Sequence, residues 1–173
     1  MSMKQYYYDT WVEDGATDIG YREVGFFQPT KLKKKSNSEI SEGDAVTEIH
    51  EGPITRTQIV KYAAASYDYN PIHHDEVFAK RARSGGIIAH GMMIMGYVAK
   101  CATWYLGTAE FDKMSMRSVN VTRPGDVVTV GGRVEKVERI EGGGKVSLSL
   151  VAKNQHGEPV GIGTVTATLL DKH

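Results

Sequence analysis

The sequence predicts an α+β protein that combines one long buried helix with an antiparallel sheet. Residues 91–106 are apolar almost all round and contain one charged side chain, Lys100, which is typical of a helix inside a core. Residues 114–170 contain alternating apolar segments separated by turn-forming residues, which is typical of consecutive antiparallel strands. A run of strands after the helix favours an α+β arrangement over alternating β-α-β units.

The composition is that of an ordinary globular domain. The 173 residues are 40% hydrophobic and 24% charged, and the formal net charge is zero, so no global field attracts nucleic acid or a membrane surface. No apolar run reaches the about 20 residues that a membrane span needs, and residues 1–10 lack the apolar core of a secretory signal. Cys101 is the single cysteine, which excludes an intramolecular disulfide. We therefore expect a cytoplasmic protein that binds neither nucleic acid nor membrane.

Residues 1–42 are predicted to form an N-terminal extension, followed by one domain over residues 43–173. The aromatic residues of the extension are too numerous for a simple linker, and two interpretations stay open: an arm that packs on the domain or on a partner subunit, and a partly ordered tag-like arm. The basic run at 31–35 is interpreted as solvated, because no aromatic residues lie within it and the net charge is zero.

The first part of the domain is predicted to be a strand over 45–50 and then a helix capped by Thr55 or Thr57. Its apolar face is expected to be buried and consists of Ile59, Val60, Ala63 and Ala64. This helix leads to a bend at Asn70-Pro71, because a residue before proline avoids helical geometry, and Asn70 can cap a short helix that begins at Pro71.

The bend brings a carboxylate and an imidazole near each other. Asp68 precedes it, and His73 is placed about one turn into the short helix. Two such groups that share one water molecule can activate it by general acid–base catalysis. The same residues are also ordinary turn formers. A metal site at His73-His74-Asp75-Glu76 is not expected, because adjacent helical residues point about 100° apart.

The later strands are predicted over 114–121, 126–140, 145–153 and 159–170. Gly131-Gly132 suggests a bulge or bend, and the glycines at 142–144 suggest a hairpin turn. The strand over 145–153 alternates well, with Val146, Leu148, Leu150 and Ala152 on one face. The last strand has the apolar residues Val160, Ile162, Val165, Ala167 and Leu169.

Three motifs carry a resemblance to a known family. Residues 68–73 read Asp-Tyr-Asn-Pro-Ile-His and are followed after five residues by Ala79; Ile-Ala-His-Gly-Met follows at 88–92 and Arg-Pro-Gly-Asp at 123–126. In this order they resemble the MaoC-like, R-specific enoyl-thioester hydratases, over about residues 43–170. One position departs from the pattern: the family usually has glycine where this chain has Tyr67.

The resemblance implies a single hot-dog domain, in which the sheet wraps around the helix and a homodimer or higher homo-oligomer covers the sheet edge. It also implies reversible hydration of trans-2-enoyl thioesters of coenzyme A or acyl carrier protein to (3R)-3-hydroxyacyl thioesters. Asp68 and His73 would activate water, and the backbone N–H of Gly91 would bind the thioester oxygen. No metal or other cofactor is expected.

Further residues are candidates for substrate contacts. His90 flanks Gly91 and would either touch substrate or pack structurally. Asn70 would mainly hold the loop, and Ser66 would assist with hydrogen bonds. Lys80 and Arg83 would either meet substrate phosphates or form a solvated basic face, which we favour.

Two other functions are alternatives to hydration. A thioesterase of the same fold would attack the carbonyl carbon, but thioesterase relatives usually lack the Asp68–His73 pair. A non-catalytic partner subunit of a heteromeric dehydratase is the second alternative, and both acid–base groups being present argues against it. Acyl chain length, carrier and physiological direction are not predicted.

Overall fold

The computed structural model describes residues 39–107 and 109–170. Most of the predicted N-terminal extension lies outside these residues, so its boundary with the domain stays a prediction. The described chain contains one strand, then helices, then four strands. The elements are β1 (Ala45–Glu51), α1 (Arg56–Ser66), a 3-10 turn (Pro71–His73), α2 (Glu76–Arg81), α3 (Gly91–Leu106), β2 (Glu110–Ser118), β3 (Val128–Ile140), β4 (Gly143–Lys153) and β5 (Pro159–Leu170).

The predicted α+β class is confirmed. The five strands form one antiparallel sheet in the order β1-β3-β4-β5-β2. Helix α3 contacts all five strands, so the sheet and the helix enclose a common core. The apolar positions that alternate along β4 are all fully buried in this core, as predicted: Val146, Leu148, Leu150 and Ala152.

Helix α3 has the bounds that the sequence predicts, from Gly91 to a cap at Gly107. Gly107 has a φ of 70°, a conformation that favours glycine, and its N–H closes the helix by donating to the carbonyl of Thr103. Within the helix the Cys101 thiol is fully buried, and burial raises its pKa to about 11. In the part of the chain that the structure describes, no helix has the length and apolar character to cross a membrane.

The apolar face predicted for α1 is narrower in the structure, and β5 exposes an apolar residue. In α1 only Ile59 and Ala63 are buried, whereas Val60 is 51% exposed and Ala64 is exposed, because this short helix presents a single i, i+4 stripe to the core. In β5 the outward Ile162 is 40% exposed. The β4–β5 register is irregular beside Lys153. Val160 is therefore buried although it does not share the in–out alternation of the rest of β5.

The predicted strand bounds need correction, whereas a register irregularity does lie at the predicted glycine pair. The strand predicted over 114–121 is β2 and begins at Glu110, because pairing with β5 starts there. Gly131-Gly132 lies opposite an irregularity in the β1–β3 register, between Val46 and Ile49, and the β3–β4 register shifts further along, between Val134 and Lys136. Gly132 also permits close approach of the backbones: a Cβ atom there would lie 2.0 Å from the carbonyl oxygen of Ser149.

Candidate active site

The loop that carries Asp68 begins where α1 ends. Tyr67 caps the helix in a left-handed conformation, with a φ of 58°. This is the position where the resembling family usually has glycine, and the conformation gives a physical reason, because glycine adopts it without a steric cost. The Ser66 hydroxyl donates to the carbonyl of Tyr62 and accepts from the N–H of Asp68, at 2.8 and 3.4 Å. Ser66 therefore holds the turn that presents Asp68.

Asn70 and Pro71 form the predicted bend. The Asn70 side-chain oxygen accepts from the N–H of Ile72 at 3.2 Å, and its own N–H donates to Asp68 Oδ1 at 3.3 Å. The prediction of one short helix after Pro71 is wrong in detail, because the structure has two separate elements, the 3-10 turn and α2. Asp75 caps α2 by accepting from the N–H of Phe78. His73 is consequently the last residue of the 3-10 turn.

The His73 ring is buried and its orientation is fixed. Only 7% of the residue is exposed, and Nδ1 lies 2.7 Å from the carbonyl oxygen of Ile88, to which it can only donate. The Ile88 N–H in turn donates to the carbonyl of Ile72, at 3.2 Å. In the neutral imidazole Nε2 then carries the lone pair, and it faces Asp68 Oδ2 at 3.8 Å.

The Asp68–His73 arrangement suits a shared water molecule. An ionised carboxylate oxygen and an unprotonated Nε2 are both acceptors, so neither can donate to the other. A water molecule with its oxygen about 2.8 Å from each atom could donate to both. Because the Asp68 side chain is 52% exposed, such a water would be reached from solvent. The pair can therefore remove a proton from water and return one to a substrate.

His90 lies behind this pair and is almost completely buried, with 2% exposure. Its ring stacks on that of His73, with centroids 3.7 Å apart and an interplanar angle of 22°. Its Nε2 lies 3.2 Å from the backbone carbonyl oxygen of Asp68 and 4.0 Å from Oδ2. Burial lowers the pKa of His90 from its ordinary value of 6.5, and the nearby His73 lowers it further. The fold thus brings three residues together, two from the first motif and His90 from the second.

Asp68, His73 and His90 also have ligand atoms within 4.8 Å of one another, which raises the question of a metal. The hydrogen bonds do not suit one. His90 Nε2 donates to the Asp68 carbonyl, and using it as a ligand would move the proton to Nδ1, which is buried with no hydrogen-bond partner. An orphaned buried donor costs about 1–3 kcal/mol. The geometry favours a water molecule between Asp68 and His73.

Gly91 follows His90 directly and is the first residue of α3. Its N–H has no carbonyl partner within the helix and lies at the positive end of the helix dipole. A Cβ atom on Gly91 would lie 2.8 Å from the hydroxyl oxygen of Ser118, at the end of β2. Sequence reasoning missed Ser118, because its proximity to Gly91 arises from strand pairing and leaves no local signal.

The third motif braces the segment that leads to His90 and Gly91. Arg123 Nη2 donates to the carbonyl of Ser84 at 2.6 Å, and Asp126 Oδ2 accepts from the N–H of Arg123 at 2.7 Å. The buried Thr122 accepts at its carbonyl from the N–H of Ala89, also at 2.7 Å. These hydrogen bonds hold the segment that precedes α3. The third motif therefore contributes to the site by fixing the position of this segment.

Lys80 and Arg83 are both exposed and lie in and just after α2. Lys80 pairs with Glu76 at 3.4 Å, and Glu76 also pairs with Arg56. The structure therefore gives Lys80 a surface ion pair, and a contact of either residue with substrate phosphates stays a prediction.

Known proteins with similar sequences and folds indicate the family of this chain. The family model described as the MaoC like domain matches residues 37–156. The chain belongs to the MaoC-like family. This is a family of hydratases and dehydratases, so the resemblance seen in the three motifs is confirmed. The MaoC-like match covers α3 and all the residues of the Asp68 loop.

One curated relative of this MaoC-like chain is the fatty acid synthase subunit beta of Aspergillus oryzae. The two are 35% identical over 94 residues, which make up 53% of this chain and 4% of the relative. The chain thus spans a small fraction of the length of that protein.

Solved structures confirm the hot-dog fold of the MaoC-like domain. The (R)-hydratase from A. caviae involved in PHA biosynthesis has a TM-score of 0.68 and 20% identity, over 75% of this chain and 97% of that chain. A chain of the ChsH1-ChsH2 complex from Mycobacterium tuberculosis has a TM-score of 0.66 and 25% identity, over 75% and 98% of the two chains.

Proposed function

We propose that this protein catalyses the reversible hydration of trans-2-enoyl thioesters to (3R)-3-hydroxyacyl thioesters. The observation that carries the proposal is the 3.8 Å separation of Asp68 Oδ2 and His73 Nε2, with the His73 ring held by its bond to Ile88. Membership of a hydratase and dehydratase family supports the reaction class.

The water molecule between Asp68 and His73 is the nucleophile of the proposed reaction. Its oxygen bonds to the β-carbon as the carbon–carbon double bond breaks, and one member of the pair takes a proton from it. The electron pair moves to the thioester oxygen, which becomes an enolate. Return of a proton to the α-carbon on the same face completes syn addition, and dehydration follows the same steps in reverse.

Gly91 would stabilise the enolate. Its N–H lies at the start of a 16-residue helix, where the dipole favours negative charge, and the missing side chain leaves the N–H open to a substrate. Removal of one such donor typically costs about 100- to 1000-fold in turnover.

The acyl carrier and the assembly belong to the same proposal. A thioester of coenzyme A or of acyl carrier protein would be the substrate, with Lys80 and Arg83 as candidates for phosphate contacts and with His90, Asn70 and Ser66 around the reacting groups. We propose a homodimer or higher homo-oligomer, in which a second copy covers an edge of the sheet.

The direct test is incubation of the full chain with short and medium trans-2-enoyl-CoA substrates, with chiral analysis of the product and a parallel assay for free thiol. The expected result is loss of the enoyl absorbance with formation of the (3R) product and no thiol. Release of thiol without hydration would contradict the proposal and support a thioesterase. Absence of both activities with coenzyme A and carrier-protein thioesters would also contradict it.

A further inference from the structure

His90 has two contacts that both lead to the reacting groups. Its ring covers the face of the His73 ring at a centroid distance of 3.7 Å, and Nε2 bonds to the backbone carbonyl of Asp68 at 3.2 Å. Tyr62 of α1 also contacts the ring, with centroids 4.9 Å apart and an interplanar angle of 47°. A single side chain therefore touches both members of the pair that would activate water.

The hydrogen bond also fixes the proton on the His90 ring. A carbonyl oxygen only accepts, so Nε2 must carry the proton and Nδ1 of the neutral ring carries a lone pair. This Nδ1 is buried and has no hydrogen-bond partner. An apolar side chain would avoid the free-energy cost of burying an unpaired nitrogen. Packing alone gives no reason for a histidine at this position.

Two other roles fit the contacts poorly. His90 precedes the first residue of α3, but its side chain makes no capping hydrogen bond to the helix. It is also 2% exposed, so the substrate contact suggested by the sequence would need the ring to leave its stack.

We infer that His90 is a positioning residue, which holds the Asp68 backbone and the His73 ring in the geometry needed to bind one water molecule. The inference rests on the proposed hydration, because it assigns His90 a role in that reaction. The Nε2–H bond sets where the Asp68 loop lies, and the stacked ring stops the His73 ring from tilting. Errors of about 1 Å in such a pair can cost about 100-fold in rate.

Three variants separate the two contacts. His90→Phe keeps a flat ring against His73 and removes the donor to Asp68. His90→Gln keeps an N–H at the position of Nε2 and removes the ring, and His90→Ala removes both. His50→Ala is the matched control, because His50 is an exposed histidine that bonds to Thr129 on the sheet.

We expect His90→Ala to lower kcat by about 10- to 100-fold with KM within about twofold of wild type. His90→Phe and His90→Gln should each recover part of kcat, and His50→Ala should retain wild-type turnover. A raised KM with unchanged kcat would overturn the inference and make His90 a substrate contact. Wild-type kcat in the Phe and Gln variants would also overturn it, even if the Ala variant does not fold.

A second measurement does not depend on turnover. The Nδ1 proton of His73, which donates to Ile88, should give a slowly exchanging NMR signal in the wild type and in His50→Ala. The signal should broaden or disappear in folded His90→Gln and persist in His90→Phe, which retains the stack. An unchanged signal in His90→Gln would overturn the stacking role. If hydration itself is absent from the wild type, this signal still tests whether His90 holds His73.

Discussion

At the scale of single residues, the candidate site consists of a few side chains whose roles depend on small details of geometry. Asp68 is half exposed, whereas His73 and His90 are buried. Tyr67 is the only non-glycine residue with a positive φ in the described parts of the chain, and it directly precedes Asp68. Sterically disfavoured backbone at a functional loop has a measurable effect on stability.

Replacing Tyr67 tests the cost of this conformation. Tyr67→Gly and Tyr67→Ala both remove the ring, but only alanine keeps a Cβ atom in the left-handed region. We expect the glycine variant to be more stable than the alanine variant by about 0.5–1 kcal/mol, which is the steric cost less the extra chain entropy of glycine. Urea unfolding of both variants measures the difference, and an alanine variant of equal or greater stability would contradict it.

The lowered pKa of His90 predicts how stability depends on pH. The groups that face this ring are Asp68, His73 and Tyr62. Because the unfolded histidine titrates near 6.5 and the folded one below that value, the unfolded chain binds more protons as the pH falls. This contribution to stability is fully present above pH 6.5 and is lost as the pH falls from there to the folded pKa.

The measurement is the free energy of unfolding in urea at about pH 7.5 and about pH 5.5, below the ordinary histidine pKa. We expect the free energy of unfolding to fall more between these two pH values for wild type than for His90→Gln, which has no titrating ring at this position. An equal fall in the free energy of unfolding for wild type and His90→Gln would show that His90 does not contribute to the pH dependence of stability.

At the scale of elements, the sequence predicts those features that depend on local pattern. Helix α3 and its stop at Gly107 follow from an apolar run and a glycine. The alternation in β4 likewise predicts its buried face. Val60 and Ala64 were wrongly predicted to be buried, because the burial of an apolar residue depends on which neighbours cover it. Register irregularities such as that beside Lys153 also change the facing of a strand without a signal in composition.

The site follows the same rule. Asp68 and His73 are predictable because five residues and a proline bring them together. The stack of His90 on His73, the proximity of Ser118 to Gly91 and the bond from Arg123 to Ser84 join residues far apart in the chain. Such contacts depend on tertiary packing, which local spacing does not encode.

The bond from Arg123 to Ser84 gives a prediction for the loop before α3. Arg123→Met should lower the free energy of unfolding by about 1–2 kcal/mol, because a charge-assisted bond to a partly buried carbonyl is lost. The exposed Arg81→Met should change it by less than about 0.5 kcal/mol. Urea unfolding measures both, and equal effects would show that the bond does not support the loop.

At the scale of the whole molecule, the sheet has two edges in the part of the chain that the structure describes. β1 and β2 each pair with one neighbouring strand, and β2 is largely exposed along its nine residues. An edge strand has a row of unpaired backbone N–H and C=O groups, which proteins usually cover. The predicted outcome is self-association of the full chain.

Sedimentation equilibrium at micromolar concentration should give a mass at least twice the 19.0 kDa of one chain. A monomer at every concentration tested would contradict the proposed homo-oligomer. It would leave the proposed reaction to be judged by its own assay.

The central claim is that Asp68 and His73 together activate water. The most direct measurement is the hydration rate of a trans-2-enoyl-CoA for wild type, Asp68→Asn and His73→Ala, with the fold of each variant verified by circular dichroism. We predict rapid hydration by the wild type and a loss of about 100-fold or more in each variant, because each lacks one acid–base group. Wild-type rates in either folded variant would contradict the account.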